Sequence, residues 1–367
     1  MIISNSIKKR QNQKIFWLFF LPLIISIIGV FFVFEASSIK SFNEYRDSFR
    51  YLKLQLIWVG LGVLIMFFMS LFDYHRLYYW SLFLMILTIF LLFLVLLPGI
   101  GHQVGGARRW FDFGFFNFQP TELAKLSIII YLSSWFINRE RKRFFSFLIL
   151  VGLLMFLIIL QPDMGTATII FFISIAIYFL AGIELFYLIF LIPIAGLFFL
   201  FLIKISPYRL HRLFAFFNPK IDPLGITYHI NQILISLANG GIFGRGFGAS
   251  RQKYLFLPEA HTDSIFAIIG EEMGFLGSSL LIILFFLFSY QMFKTILVAR
   301  DRYGRLLAGG IFAFFNFQIL VNLAGMVNLI PLTGVPLPFI SYGGSNLLVS
   351  FFLLGILINI TKQSRIL

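Results

Sequence analysis

Runs of about twenty consecutive apolar residues recur along almost the whole chain, and this repeat decides the fold class before any motif is read. The hydrocarbon core of a bilayer is crossed by roughly 20 helical residues. Only helices and closed barrels satisfy their own backbone hydrogen bonds there. Ten runs qualify: 15–35, 54–73, 79–98, 121–137, 144–160, 165–182, 185–203, 264–291, 306–327 and 344–360. The fifth and sixth are separated by little more than Gln161-Pro162-Asp163. Composition agrees, since 12% of residues are charged against about 25% in soluble domains. The sequence predicts an all-α integral membrane protein of about ten transmembrane helices. It forms one polytopic domain over 1–367, with a long loop at 204–263 between the seventh and eighth spans.

A net charge of +14 would suggest nucleic acid if it were gathered on one surface. It is not. The basic residues fall in short clusters between apolar runs: Lys8, Lys9, Arg10 and Lys14; Arg139, Arg141, Lys142 and Arg143; Lys294, Arg300, Arg302 and Arg305. This is the positive-inside pattern of cytoplasmic loops, so no nucleic-acid partner is expected. An even number of spans puts both termini on the cytoplasmic side and the 204–263 loop outside. The first run follows a basic start, has no small-residue cleavage site close behind it and is long enough to span, so it reads as a helix rather than a removed signal. Cysteine is absent, which excludes thiol catalysis and disulfides. The histidines form no zinc-binding pair.

Ionisable residues in or beside membrane spans are expensive and are functional candidates by default. Glu122 and Lys125 are three residues apart on the fourth span and share a face. Pro120 suits the first position of that helix. Asp163 sits in the turn after the fifth span, and Arg108 and Arg109 precede the fourth. Pro258-Glu259-Ala260-His261-Thr262-Asp263 ends the long loop where the eighth span begins. Each has a plainer structural reading. Glu122 and Lys125 form an ion pair that lets two charges live in the bundle; Asp163 ends a turn or pairs with Lys125. Thr262 or Asp263 caps a helix; the arginines meet lipid head-groups; His261 is a hydrogen-bonded positioning group. Glu271 and Glu272 lie about 12–14 Å into the eighth span, with no partner legible in the sequence. Ile230 to Leu237 has the pattern of a short amphipathic helix at the membrane surface. The run from Asn239 to Gly248 lacks the Lys-Ser/Thr of a phosphate-binding loop and the acidic residue of a dinucleotide fold.

Arginine forks match phosphate oxygens, and a carboxylate accepts a proton from a sugar hydroxyl. The combination points to glycosyl transfer from a polyprenyl pyrophosphate, and the same physics permits a lipid transporter.

Five segments resemble the signature motifs of SEDS proteins, the RodA/FtsW family. They are Gly106 to Trp110, Phe118 to Lys125, Gln161 to Ala167, Pro258 to Asp263 and Pro331 to Ser345, in the family's order. The resemblance implies a ten-helix peptidoglycan glycosyltransferase that polymerises lipid II outside the cytoplasmic membrane and releases undecaprenyl pyrophosphate. It implies a class B penicillin-binding protein as transpeptidase partner, with other divisome or elongasome membrane proteins. It carries the essential aspartate onto Asp263 and substrate-cavity roles onto Glu122, Lys125 and Asp163. Arg108, Arg109 or Lys125 would then stabilise the pyrophosphate, and His261 is counted with them among the substrate-binding residues. A divalent cation, magnesium or manganese, could share that task; no ligand cluster specifies one. The motif ending in Asp263 looks more like the division-type FtsW branch, whereas Pro331 to Phe339 also occurs in elongation-type RodA. Ser264 stands where the family usually has Phe, and Asn346 where a second Ser is common; neither is expected to touch a proposed catalytic group. A lipid II flippase and a non-catalytic scaffold are the alternatives. No internal repeat of the kind transporters use is visible, and the candidate residues gather at one side.

Overall fold

The computed structural model describes residues 2–364 apart from 105–106, 115, 139–142, most of 183–206, 220–221 and 255, and of residues 2–10 the backbone alone. The helices are α1 (Ile2–Tyr45), α2 (Arg50–Leu71), α3 (Leu77–Leu94), α4 (Pro120–Trp135), α5 (Phe144–Leu160), α6 (Met164–Leu180), α7 (Pro207–Phe217), α8 (Tyr228–Gly240), α9 (Ile265–Val298), α10 (Arg302–Met326) and α11 (Gly344–Gln363). Six stretches (11–45 of α1, α2, 74–94 with α3, α9, α10 and α11) are long and apolar enough to cross a membrane, and α5 and α6 are shorter apolar helices. This is a multi-pass membrane protein. Nine of the ten expected spans coincide with helices; the seventh, 185–203, falls largely outside the described residues, as does the basic cluster at 139–142.

Hydrogen bonds sort the bundle into two ends. At one, Gln11 donates to the Thr361 and Lys362 carbonyls, Tyr74 to Asp301, Gln363 to Asp73 and Arg302 to the Ala181 carbonyl. The start of α1 and the end of α11 meet there. At the other end, Arg109 reaches residues 161 and 162, the Tyr342 amide reaches the His261 carbonyl, and Asn322 reaches Asp263. One addition to the all-helical expectation lies here. Strands β1 (His102–Val104), β2 (Ala107–Asp112) and β3 (Asn117–Phe118) form a small antiparallel ribbon in order β1-β2-β3. It covers the loop before α4, a stretch too short for strand periodicity to stand out in the sequence.

Two non-helical segments are enclosed by the bundle, and both obey the rule that backbone away from helices must find partners inside protein. The first is a break in α9 at Gly274, where φ is 65° and ψ −162°. The glycine-rich loop after α8 fits into it. Arg245 and Gly246 amides donate to the Glu271 and Glu272 carbonyls, while Phe275 and Leu276 amides donate to Gly241 and Ile242. A Cβ on Gly244 would lie 2.1 Å from the Glu272 carbonyl oxygen, so only glycine permits this approach. The glycine-rich run, which the sequence does not support as a nucleotide loop, is a backbone patch for a broken helix. The glutamates with no legible partner hold the same loop. Glu271 accepts from Ser250 Oγ (2.5 Å), and Lys253 Nζ lies 3.5 Å from Glu272 and 2.8 Å from Glu35 of α1. These attachments, with those carbonyls as desolvated anchors, hold the chain that leads on to Asp263.

The second segment, 331–341, dips between α1, α2 and α10. Leu337, Phe339 and Ile340 are fully enclosed. Its polar backbone is met by Gln318 at Pro336, Asn322 at Val335, Ser341 Oγ at the Leu337 amide and Gln55 at Ser341. Gly29 of α1 makes room, since a Cβ there would stand 2.5 Å from the Phe339 carbonyl oxygen.

Two stability predictions follow from these contacts. Gly29→Leu overpacks against backbone and should cost about 1–3 kcal/mol or more, read as a lowered thermal midpoint in detergent. Lys253→Met strands the buried Glu272 carboxylate and the half-buried Glu35 and should cost about 3 kcal/mol; adding Glu272→Gln should recover part of that loss. Equal midpoints for the single and double variants would show that the pair is not coupled.

Candidate functional site

Asp263 lies just ahead of α9, outside the spanning segment. It does not cap that helix; Ser264 occupies the cap position and bonds elsewhere. Its carboxylate takes a hydrogen bond from Thr262 Oγ1 (3.2 Å) and lies 3.5 Å from where a Cβ on Gly334 would stand, in the buried loop. The backbone around it is pinned. Asn322 Nδ2 donates to both the Asp263 and the Val335 carbonyls, each at 2.8 Å, tying the aspartate loop to the 331–341 loop. Glu259, at φ 50°, accepts from the Thr262 and Ser264 amides and makes the tight turn that presents Asp263. Burial, reinforced by the Glu259 carboxylate, pushes the Asp263 carboxyl up to about 6 against the opposing pull of Arg212. Such a group is ionised at neutral pH yet basic enough to take a proton.

His261 precedes Asp263 by two residues and is buried. Its ring packs between Tyr51 and Tyr342, at centroid distances of 4.9 and 5.7 Å, and burial holds it neutral, down to about 4. Its part is to support the loop, through the bond from the Tyr342 amide to its carbonyl.

A cleft of about 240 Å³ opens beside Gly334, lined by Arg109, Arg209, Arg212, Asp163, Gly165 and Thr333 among others. Arg109 donates to the Gln161 and Pro162 carbonyls (2.7 and 2.6 Å), which aims its guanidinium at the start of α6. Arg209 and Arg212, three residues apart on α7, line it too; Arg209 donates to the Ile159 carbonyl (3.3 Å), close to the carbonyls that hold Arg109. Three guanidiniums and the N-terminal end of α6 face one space, a combination suited to an anion. Arg209 and Arg212 were not among the residues singled out by sequence. Their signal was Pro207 followed by an i, i+3 arginine pair on an amphipathic turn, in a stretch that reads as a loop.

The other sequence candidates are distributed differently. Asp163 caps α6, accepting from the Thr166 amide (3.0 Å) and Thr166 Oγ1 (2.8 Å), and lines the cleft. Gln119 reaches it at 3.4 Å. Lys125 pairs with Glu122, not Asp163, at 2.7 Å inside the bundle, 2% exposed. Neither member of that pair lines the arginine cleft. Arg108 and Arg109 are adjacent on β2, so the strand's period of two sends them to opposite faces; Arg109 alone lines the cleft. The two departures from the family pattern both make contacts that the sequence did not suggest. Asn346 donates to Glu122 Oε2 (3.1 Å), completing that carboxylate's partners, and Ser264 Oγ lies 2.8 Å from His229 Nε2. Among the described residues no group of three or more His, Asp or Glu side chains is arranged to hold a metal ion, and no step below is routed through one.

This geometry, an aspartate poised beside an arginine-lined cleft at one end of a lipid-embedded bundle, can now be set beside known proteins. Residues 15–366 match the cell cycle protein family of FtsW, RodA and SpoVE. The chain belongs to this family. It is 39% identical to stage V sporulation protein E of Bacillus subtilis, over 94% of this chain and 96% of that protein. It is 37% identical to the protein named "Probable peptidoglycan glycosyltransferase FtsW" of Trichlorobacter lovleyi, over 95% and 93%. Among solved structures, one of a peptidoglycan synthase complex that coordinates polymerisation and crosslinking matches with a TM-score of 0.75 at 29% identity, covering 94% of this chain and 96% of that one. The rod shape determining protein RodA of Thermus thermophilus matches at 0.70 and 28% identity, over 95% and 96%.

The raised carboxyl of Asp263 makes a prediction with a definite sign. A carboxyl held above its unfolded value of 3.8 binds its proton more tightly when folded, so its stabilising contribution is complete below about pH 4 and is lost as pH rises through about 6. Asp263→Asn should therefore be more stable than wild type at pH 7.5, by on the order of 2 kcal/mol, and no more stable at pH 4. Parallel thermal unfolding curves across that range check it; a difference independent of pH would contradict it.

Proposed function

We propose that this protein is a peptidoglycan glycosyltransferase that polymerises lipid II into glycan strands at the outer face of the bacterial cytoplasmic membrane. The observation that carries the reading is the placement of Asp263, a basic carboxylate on a rigid turn, beside a cleft with three arginines. Asp263 takes the proton of the acceptor sugar hydroxyl. The freed oxygen bonds to the anomeric carbon of the donor glycan as the carbon–oxygen bond to pyrophosphate breaks. The electron pair leaves with undecaprenyl pyrophosphate, and the configuration at that carbon inverts. Negative charge grows on the leaving group, and Arg109, Arg209 and Arg212 stand where preorganised cations lower that cost without rearranging. Glu122 and Lys125 act at one remove, as a buried pair that supports the N-terminal half of α4. A divalent cation, if used, would join the pyrophosphate as a fourth positive group.

Membership of a family whose structural relatives include a polymerising and crosslinking complex supports a class B penicillin-binding protein as partner. The likeness to FtsW and SpoVE supports a role in division or spore formation, and the likeness to RodA supports one in elongation.

The test is glycan synthesis from purified lipid II by the protein together with its transpeptidase partner. Wild type should yield long strands. Asp263→Ala, with its fold verified by thermal unfolding, should lose activity by a factor of about 10² to 10⁴, the range of general-base catalysis. Arg212→Ala should lower kcat more than it raises KM. Undiminished activity in Asp263→Ala would remove it as the base.

A further inference from the structure

Arg212 and Leu332 belong to two clefts at once. The arginine donates to the Leu332 carbonyl at 3.0 Å, and this contact is the wall between them. On one side is the arginine cleft. On the other, a cleft of about 230 Å³ lies between α7, α8 and the turn after α10. Its walls are mostly apolar, from Phe216, Ile226, Ile230 and Leu332, with His211, Arg212, His229 and Asn328 as its polar points. The dipeptide Asp263-Ser264 meets both spaces. Asp263 stands against Gly334, which lines the first, and Ser264 Oγ bonds His229, which lines the second.

Building on the glycosyltransferase reading, we propose that the second cleft is the acceptor subsite, taking an N-acetylated hexosamine of the incoming lipid-linked disaccharide, while the arginine cleft takes the donor's pyrophosphate.

The chemistry of the two walls divides the two substrates. The leaving pyrophosphate gains charge in the reaction and needs cations that are already in place. An acceptor sugar stays uncharged, and is held by apolar surface with a few directed polar groups. The second cleft has that character and is of a size for one pyranose ring. His229 contributes no charge to it: burial, helped by Arg212, lowers that imidazole to about 4, and its ring is fixed by Ser264 and the Pro258 carbonyl. A base between the two clefts is where a hydroxyl from one side and an anomeric carbon from the other would meet. Ser264, in place of the family's usual Phe, reaches this wall through its hydroxyl contact with His229.

The experiment fills the second cleft. Ile226, half-exposed at its mouth, is changed to Trp, with Ala215→Trp as a second variant from the cleft's inner side. The full-length protein in nanodiscs with its partner is titrated with lipid II. Ile226→Trp should raise KM for lipid II by about tenfold or more while kcat changes little, the pattern of a lost binding contact. In an Asp263→Asn background, where no turnover occurs, native mass spectrometry should count two lipid II molecules on the parent and one on each Trp variant. Unchanged KM together with two bound molecules in both Trp variants would overturn the acceptor assignment. Wild type that binds lipid II but makes no glycan would instead overturn the glycosyltransferase reading, and the binding count would still decide whether the cleft holds lipid II.

Discussion

The amide of Asn322 holds together the two segments on which the site is built. From α10 it donates to the carbonyl of Asp263 and to that of Val335. One of these carbonyls belongs to the end of a long loop, the other to a segment buried among helices. Neither has a helical partner, and inside a bundle embedded in lipid each would be costly to leave unmet. A single side chain therefore satisfies two backbone groups and sets the position of the proposed base relative to Gly334 and the cleft it lines.

The same constraint explains the irregular parts of the molecule. A bundle of unbroken helices needs no such devices, but offers no place to display a carboxylate and several arginines in one space. Interrupting α9 at Gly274 and burying residues 331–341 create that place. Each interruption brings its own repair: glycine-loop backbone at the first, Gln318, Asn322, Ser341 and Gln55 at the second. The ionic contacts of Lys253 with Glu35 and Glu272 then join the repaired break to α1, so the chain running to Asp263 is anchored at both ends.

Charge is arranged with equal economy. Lys125 and Glu122 neutralise each other and take Asn346 as a further partner, leaving no net charge at that depth. Arg109, Arg209 and Arg212 collect instead at the end of the bundle that carries Asp263, where the proposed reaction would place the pyrophosphate. Asp263 keeps its proton longer than an exposed carboxyl because burial and Glu259 outweigh Arg212; an anion arriving in the cleft would push in the same direction.

The sequence by itself determined the membrane architecture, because about twenty apolar residues in a row have one stable solution in a bilayer. It also pointed to the end of the bundle where the proposed site lies, since ionisable residues beside spans are too expensive to be placed there without a role; Asp263, Asp163 and Arg109 stood out for that reason. Tertiary structure decided the rest. Whether Lys125 answers Glu122 or Asp163, which of two adjacent arginines faces the cleft, what Glu271 and Glu272 bind, and that Arg209 and Arg212 from a loop of ordinary appearance line the same cleft as Arg109 all depend on contacts between residues far apart in the chain. Hydropathy reports how each residue meets its solvent, and local pattern reports its own helix or strand. Neither reports which distant groups a fold brings within 3 Å, and at that range the site is made.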